Sequence, residues 1–280
     1  ERLLSAIDTS SHTVSIEMLG ARRAMYQICR WTSLGPPPPV PSSPGSISHK
    51  YNTFISKSKF LHALHNRVVN GSRWCMMDVK EVWELRSIDM KKESELNKLT
   101  IPQLETLVQV RCEIPKVTTI LILLPLPLTI YVIGLAIIFF PRLILTRHFW
   151  TREQREEFWL ADIKKGVEAA KTLTQSSLPS KIEELTQVQK GLLSRLYGGI
   201  FPWSSSKLNQ RYFLTHNIDS RLDVSSLTRD QLLFHLYIRR VPYVINESED
   251  SLRKRLTNVI EIGGSASSPV EYLTSSLRSL

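Results

Sequence analysis

An all-α chain with a single transmembrane helix is the fold class this sequence predicts, and three observations predict it. Residues 117–140, VTTILILLPLPLTIYVIGLAIIFF, hold no charged side chain. Elsewhere one type of helix start recurs, a Ser or Thr followed three residues later by Gln or Glu. No convincing alternation of apolar and polar residues, the mark of a half-buried strand, is found anywhere.

Composition narrows the setting. The chain has 280 residues and a net charge of +10, which points to an anionic partner: lipid head groups, nucleic acid or an RNA-rich particle. Mean hydropathy near zero excludes a polytopic membrane protein, so most of the chain sits in water. Cys29, Cys75 and Cys112 stand at no metal-ligand spacing and are too few for a disulfide framework, which favours a reducing compartment.

In chain order, residues 1–34 resemble a mitochondrial presequence. From Met18 to Met77 there is no Asp or Glu, while Arg22, Arg23, Arg30, Lys50, Lys57, Lys59, Arg67 and Arg73 are all present. A basic, acid-free leader is drawn inward by a potential that is negative inside. Glu1, Asp8 and Glu17 interrupt this pattern, so Met18 is the expected natural start; a merely basic disordered tail is the other reading. Residues 35–47 form a Pro-rich linker, in which fixed φ angles and missing donors prevent a packed element.

Residues 48–116 read as a pre-membrane helical segment. Residues 117–140 make roughly 36 Å of helix at about 1.5 Å per residue, enough for roughly 30 Å of hydrocarbon. Residues 141–263 form a second helical region, and 264–280 a flexible Ser- and Leu-rich tail. Capping boxes are expected at Thr100/Gln103, Thr151/Gln154, Ser180/Glu183 and Thr228/Gln231, with a looser one at Asn246/Glu249. Ile182, Leu185, Leu192 and Leu196 share a face until Gly198 and Gly199 end the run. Leu252, Leu256, Val259 and Ile260 stripe the last helix. Arg142, Arg147, Arg152 and Arg155 follow the span closely, against Arg111 and Lys116 before it, which places the C-terminal domain on the positive-inside face.

The block FPRLILTRHFWT, residues 140–151, directly after a proline-containing span, resembles the leucine-zipper-EF-hand-containing transmembrane (LETM) family, most closely its short branch. The likeness extends back through RWCMMDVKEVWEL (73–85) and LTIPQLETLVQVRCEIPK (99–116), and forward, less distinctly, through LTRDQLLFHLYIRRV (227–241) and SLRKRL (251–256). The resemblance implies a single-span protein of the mitochondrial inner membrane. Its matrix domain would be helical, similar to 14-3-3 proteins, and would associate with mitochondrial ribosomes. It also implies a link to potassium/proton or calcium/proton balance and to mitochondrial shape. No EF-hand loop is present, so calcium sensing is not implied for this chain.

Two cationic groups are the candidate contacts for a ribosome or anionic inner-membrane lipid. The first is Arg142, Arg147, Arg152 and Arg155 with His148, Phe149 and Trp150 interleaved; the second is Arg239, Arg240, Arg253, Lys254 and Arg255. Arginine forks bind phosphate oxygens, and aromatic faces stack on bases or lie at head-group level. Ordinary interface anchoring accounts for the first group equally well, and a solvated helix face for the second.

Transport is the competing class. Pro125 and Pro127 would leave the carbonyls of Leu121 and Leu123 without helical donors, with Tyr131 among the few polar groups nearby, a device for cation contact in a homo-oligomer or a cation/proton exchange system. A kink satisfied by neighbouring helices explains the same prolines. Catalysis is not expected. There is no Gly-rich phosphate loop or nucleophile elbow, and no carboxylate or Cys joins His62 and His65 at ligand spacing, so neither a cofactor, a metal nor a small-molecule substrate is implied.

Overall fold

Polar side chains that trap the first amides of a helix decide where several of the elements begin. The computed structural model describes residues 59–90, 92–110, 113, 142, 146–175, 177–199 and 201–278. The leader-like region with Met18, the linker 35–47 and the stretch 117–140 with Pro125, Pro127 and Tyr131 lie outside the described residues, as do the side chains of His62 and His65. Among the described residues the fold is all-helical, with no strand, and no helix is long and apolar enough to cross a membrane.

Helix α1 spans Lys59–Glu84 and continues into a 3-10 turn at Leu85–Ser87. It turns Trp74 and Asp78 inward and leaves Met76, Val79 and Trp83 exposed. A short α2, Glu93–Leu96, leads into α3 at 101–110. There the Thr100 amide donates to Gln103 Oε1 at 2.9 Å, half of the expected capping box.

Helix α4, Arg152–Ala170, opens with the complete box. Thr151 accepts from the Gln154 amide at 3.1 Å and its own amide donates to Gln154 Oε1 at 3.0 Å. A cap of this type stabilises by about 1 kcal/mol. At Ser180 the structure departs from the expected start. Residues Ile182–Glu184 form a 3-10 turn, and the box sits at Thr186 and Gln189, opening α5 at Gln187–Leu196. Both sites carry the same signature, and the second leaves Ile182 and Leu185 free to fold inward as a separate buried turn. Gly198 ends α5 at φ 82, and the Gly199 amide closes back on the Ser194 carbonyl at 2.7 Å.

Helix α6, Ser205–Asp219, was not evident in the sequence; Ser204 caps it, accepting from the Lys207 amide at 3.3 Å. Helix α7, Arg229–Arg239, starts where expected, with the Thr228 amide donating to Gln231 Oε1 at 2.9 Å. Helix α8, Glu249–Gly264, is capped by Ser248 rather than Asn246. Asn246 instead takes a left-handed turn conformation at φ 63, which an Asx side chain tolerates. Within the region 264–280, expected as a flexible tail, residues 269–278 pack down. Pro269 sits in the first turn of α9 (Pro269–Leu273), α10 follows at Ser275–Arg278, and Val270, Leu273 and Leu277 are buried.

One hydrophobic core joins these parts. Leu96, Leu104, Leu107 and Val108 enter it from α2 and α3, and Ile163, Leu193, Leu214, Leu232, Phe234 and Leu256 from α4 through α8. Each fully buried leucine stabilises by about 1.5–3 kcal/mol. Helices α4 and α5 approach most closely at Gly166, where a Cβ would stand 2.5 Å from the Leu196 carbonyl oxygen. The segments on either side of 117–140, expected as separate regions, therefore share a single core.

Candidate functional site

The turn Arg147–Phe149 lies against α1, and Gly71 makes that approach possible: a Cβ there would stand 2.7 Å from both the His148 carbonyl oxygen and Phe149 Cδ1. The approach carries Arg147 and His148 into the interior. Arg147, 1% exposed, is ion-paired with buried Asp78 of α1, and its Nη1 lies 3.6 Å from Glu113 Oε2. His148 Nε2 is 3.0 Å from Asp78 Oδ2, and its Nδ1 is 2.9 Å from Thr146 Oγ1. Asp78 only accepts, so Nε2 of the imidazole is the donor in this contact.

Trp74 completes this knot. Its ring meets His148 edge-on at 4.7 Å, and the guanidinium carbons of Arg147 and Arg155 lie 5.2 and 5.1 Å from its centroid. Burial, aided by the charge on Arg147, brings the Arg155 guanidinium down to about 10. Burial pushes the Glu81 carboxyl of α1 up to about 7, with the bond to Thr106 pulling the other way. Trp150 is also buried and meets Phe158 edge-on at 5.0 Å.

A second polar knot forms at the end of α7. Arg239 pairs with Asp219 of α6, and its Nη1 donates to the His235 carbonyl at 2.8 Å. Burial opposes the charge on Arg239, but Asp219 outweighs it and the guanidinium pKa moves up. His235 Nε2 is 3.2 Å from Glu105 Oε1 of α3; burial depresses this imidazole despite the carboxylate. Arg240 holds a left-handed conformation at φ 59, normally given to Gly or Asn, and donates to the Tyr197 carbonyl at 3.0 Å. Its guanidinium also lies 4.4 Å over the Tyr237 ring.

The two groups singled out in the sequence thus divide by environment. Arg147, His148, Trp150, Arg155, Arg239 and Arg240 are buried. Arg142 is half-buried and paired with Asp162. Arg253 is half-buried, donating to the Leu227 carbonyl at 2.8 Å. Arg152, Lys254 and Arg255 reach solvent; Arg152 lies 2.8 Å from Asp230 and Arg255 2.7 Å from Glu247. The groups are not merged into one cluster. The carboxylates that hold the buried members, Asp78, Glu113 and Asp219, were not singled out in the sequence, because nothing local marks a partner so distant along the chain.

A cavity of about 50 Å³ lies between α3, α4, α6 and α7, lined by Glu113, Trp150, Trp159, Asp162, Arg211 and Arg240 among others. It is far smaller than the roughly 300–1,000 Å³ of ordinary small-molecule sites. Among the described residues no His, Cys, Asp and Glu cluster could hold a metal ion.

The family model described as LETM1-like, RBD matches residues 99–232, from the end of α2 across the hydrophobic stretch and into α7. Over those residues the chain is similar to the LETM domain family. It is 29% identical over 185 residues to LETM1 domain-containing protein 1 of Xenopus tropicalis, covering 60% of this chain and 52% of the relative. To the protein of the same name from Homo sapiens it is 26% identical over 114 residues, covering 40% of this chain and 32% of the relative. The chain thus spans about half the length of one curated relative and a third of the other. No solved structure matches it.

Proposed function

We propose that this LETM-family chain is an adaptor of the mitochondrial inner membrane, anchored by residues 117–140, whose helical domain binds mitochondrial ribosomes and supports inner-membrane organisation. The observation that carries the reading is the match of residues 99–232 to a family whose description denotes a ribosome-binding domain. The uncharged stretch 117–140 falls inside that match, so the anchor and the binding module are one unit of sequence. A 14-3-3-like arrangement is the scaffold that the family resemblance suggests for it.

Charge supplies the contact. A net charge of +10 favours an RNA-rich or anionic-lipid partner. Arg152, Lys254 and Arg255 have the solvent-facing side chains to meet phosphate, with Arg142 and Arg253 at their margins. Arg147, Arg155, Arg239 and Arg240 serve this surface indirectly, by fixing the elements that carry it.

Co-sedimentation of the full chain in mild detergent with mitochondrial ribosomes, across a salt series, tests the reading. The expected result is binding that weakens as salt rises, and a Lys254→Glu/Arg255→Glu or Arg152→Glu protein whose salt slope falls by about one unit for each phosphate it no longer neutralises. Binding indifferent to both reversals removes the assignment of these side chains, and absence of binding at low salt removes the ribosome. Retention in the pellet after alkaline carbonate tests the anchor separately.

A further inference from the structure

Glu113 precedes the hydrophobic stretch and Arg147 follows it, yet their side chains lie 3.6 Å apart. Farther from the stretch the same closure recurs. Glu105 Oε1 is 3.2 Å from His235 Nε2, the Asn217 amide bonds Asn97 Oδ1, and Arg221 Nη2 donates to the Leu99 carbonyl at 2.7 Å. Leu96, Leu104 and Leu107 from before the stretch are buried in one core with Ile163, Leu232 and Phe234 from after it.

A straight helix over 117–140 separates its ends by roughly 36 Å and puts about 30 Å of hydrocarbon between its flanks. In that arrangement none of these pairs forms. Asp78 and Arg147 would each keep a buried position without its counter-charge, and the apolar faces of α2 and α3 would meet water. The connecting residues cannot restore the pairs, because they would have to cross the bilayer again.

We propose that residues 59–110 and 146–278 form one helical body that lies on a single face of the bilayer. The body meets one lipid surface, and both of its chain halves share a compartment. The inference rests on the reading of 117–140 as membrane-embedded and changes what that embedding does: it tethers a body without dividing it.

The test uses the full chain in sealed proteoliposomes, with Cys29, Cys75 and Cys112 replaced by Ser and two new thiols at exposed positions, Lys80→Cys in α1 and Lys254→Cys in α8. A membrane-impermeant polyethylene-glycol maleimide adds a resolvable mass at each accessible thiol. With both flanks on one face, each molecule carries two labels or none, whatever its orientation in the vesicle. With flanks on opposite faces, each molecule carries one label until detergent is added, and that result overturns the proposal. A second pair, Glu84→Cys with Lys165→Cys, repeats the reading if the first disturbs folding. Carbonate extraction of the same vesicles separates the two claims: release of the protein sinks the anchor, whereas single labelling of a retained protein sinks only the one-face arrangement.

Discussion

Glu105 of α3 and His235 of α7 meet at 3.2 Å in the interior, and Arg239 Nη1 stands 3.2 Å from the other ring nitrogen of that histidine. The arginine can only donate, so His235 Nδ1 accepts and the ring proton sits on Nε2, 3.2 Å from the carboxylate. The imidazole is therefore neutral and oriented by two charged neighbours of opposite sign. It pins α3, which precedes the hydrophobic stretch, to α7, which follows it.

Acid should loosen this pin. Burial lowers the folded-state pKa of His235 below its ordinary 6.5, so below about pH 6.5 the unfolded chain binds the extra proton first. The stability from the neutral imidazole is present above that value and is lost as pH falls. His235→Gln cannot take up the proton. We expect it to be less stable than the parent at pH 7.5 in urea melts, with the gap narrowing toward pH 5.

Removing the acid beneath the turn Arg147–Phe149 should cost more than removing the pair. Asp78→Asn leaves buried Arg147 with only Glu113, 3.6 Å away, as counter-charge, an expected loss of about 3 kcal/mol. Asp78→Leu combined with Arg147→Met replaces both groups by apolar ones and should recover part of that loss, His148 Nε2 still lacking its acceptor. Denaturant midpoints of the three proteins check it; a double variant no better than the single one would show that the pair does more than neutralise charge.

These two predictions also mark what the sequence could and could not reveal. The starts at Thr100, Thr151 and Thr228 were legible because a capping box is complete within four residues and needs no distant partner. The same grammar misplaced one start, because Ser180/Glu183 and Thr186/Gln189 read alike and only packing of Ile182 and Leu185 chooses between them. Arg147 and Arg239 looked like surface cations because their neighbours in sequence include no acid that claims them. Their partners stand 69 and 20 residues away. Helix α6 escaped notice for a related reason: its buried positions include Arg211, Thr215 and Asn217, polar groups whose inward direction no apolar periodicity announces.

The packing of α4 on α5 offers a steric prediction. Gly166 lets the backbone of α5 pass so close that a Cβ would meet the Leu196 carbonyl oxygen at 2.5 Å, and backbone cannot swing away as a side chain end can. Gly166→Ala should therefore destabilise by about 1–3 kcal/mol despite the better helix propensity of alanine. Gly264, with nothing within 4 Å of a Cβ, is the control: Gly264→Ala should be close to neutral in the same thermal melts.

Glu81 gives the opposite pH signature from His235. Burial raises its carboxyl to about 7 from an ordinary 4.5, so between those values the folded chain holds a proton that the unfolded chain has released. Its stabilising contribution is complete below about pH 4.5 and disappears as pH rises through about 7. Glu81→Gln mimics the protonated form at every pH. We expect it to exceed the parent by on the order of 2 kcal/mol at pH 8, after allowance for partial solvent screening, and to match it near pH 4.5. Equal stability of the two proteins at pH 8 would mean that the carboxylate finds compensation on ionising, with Thr106 the nearest source.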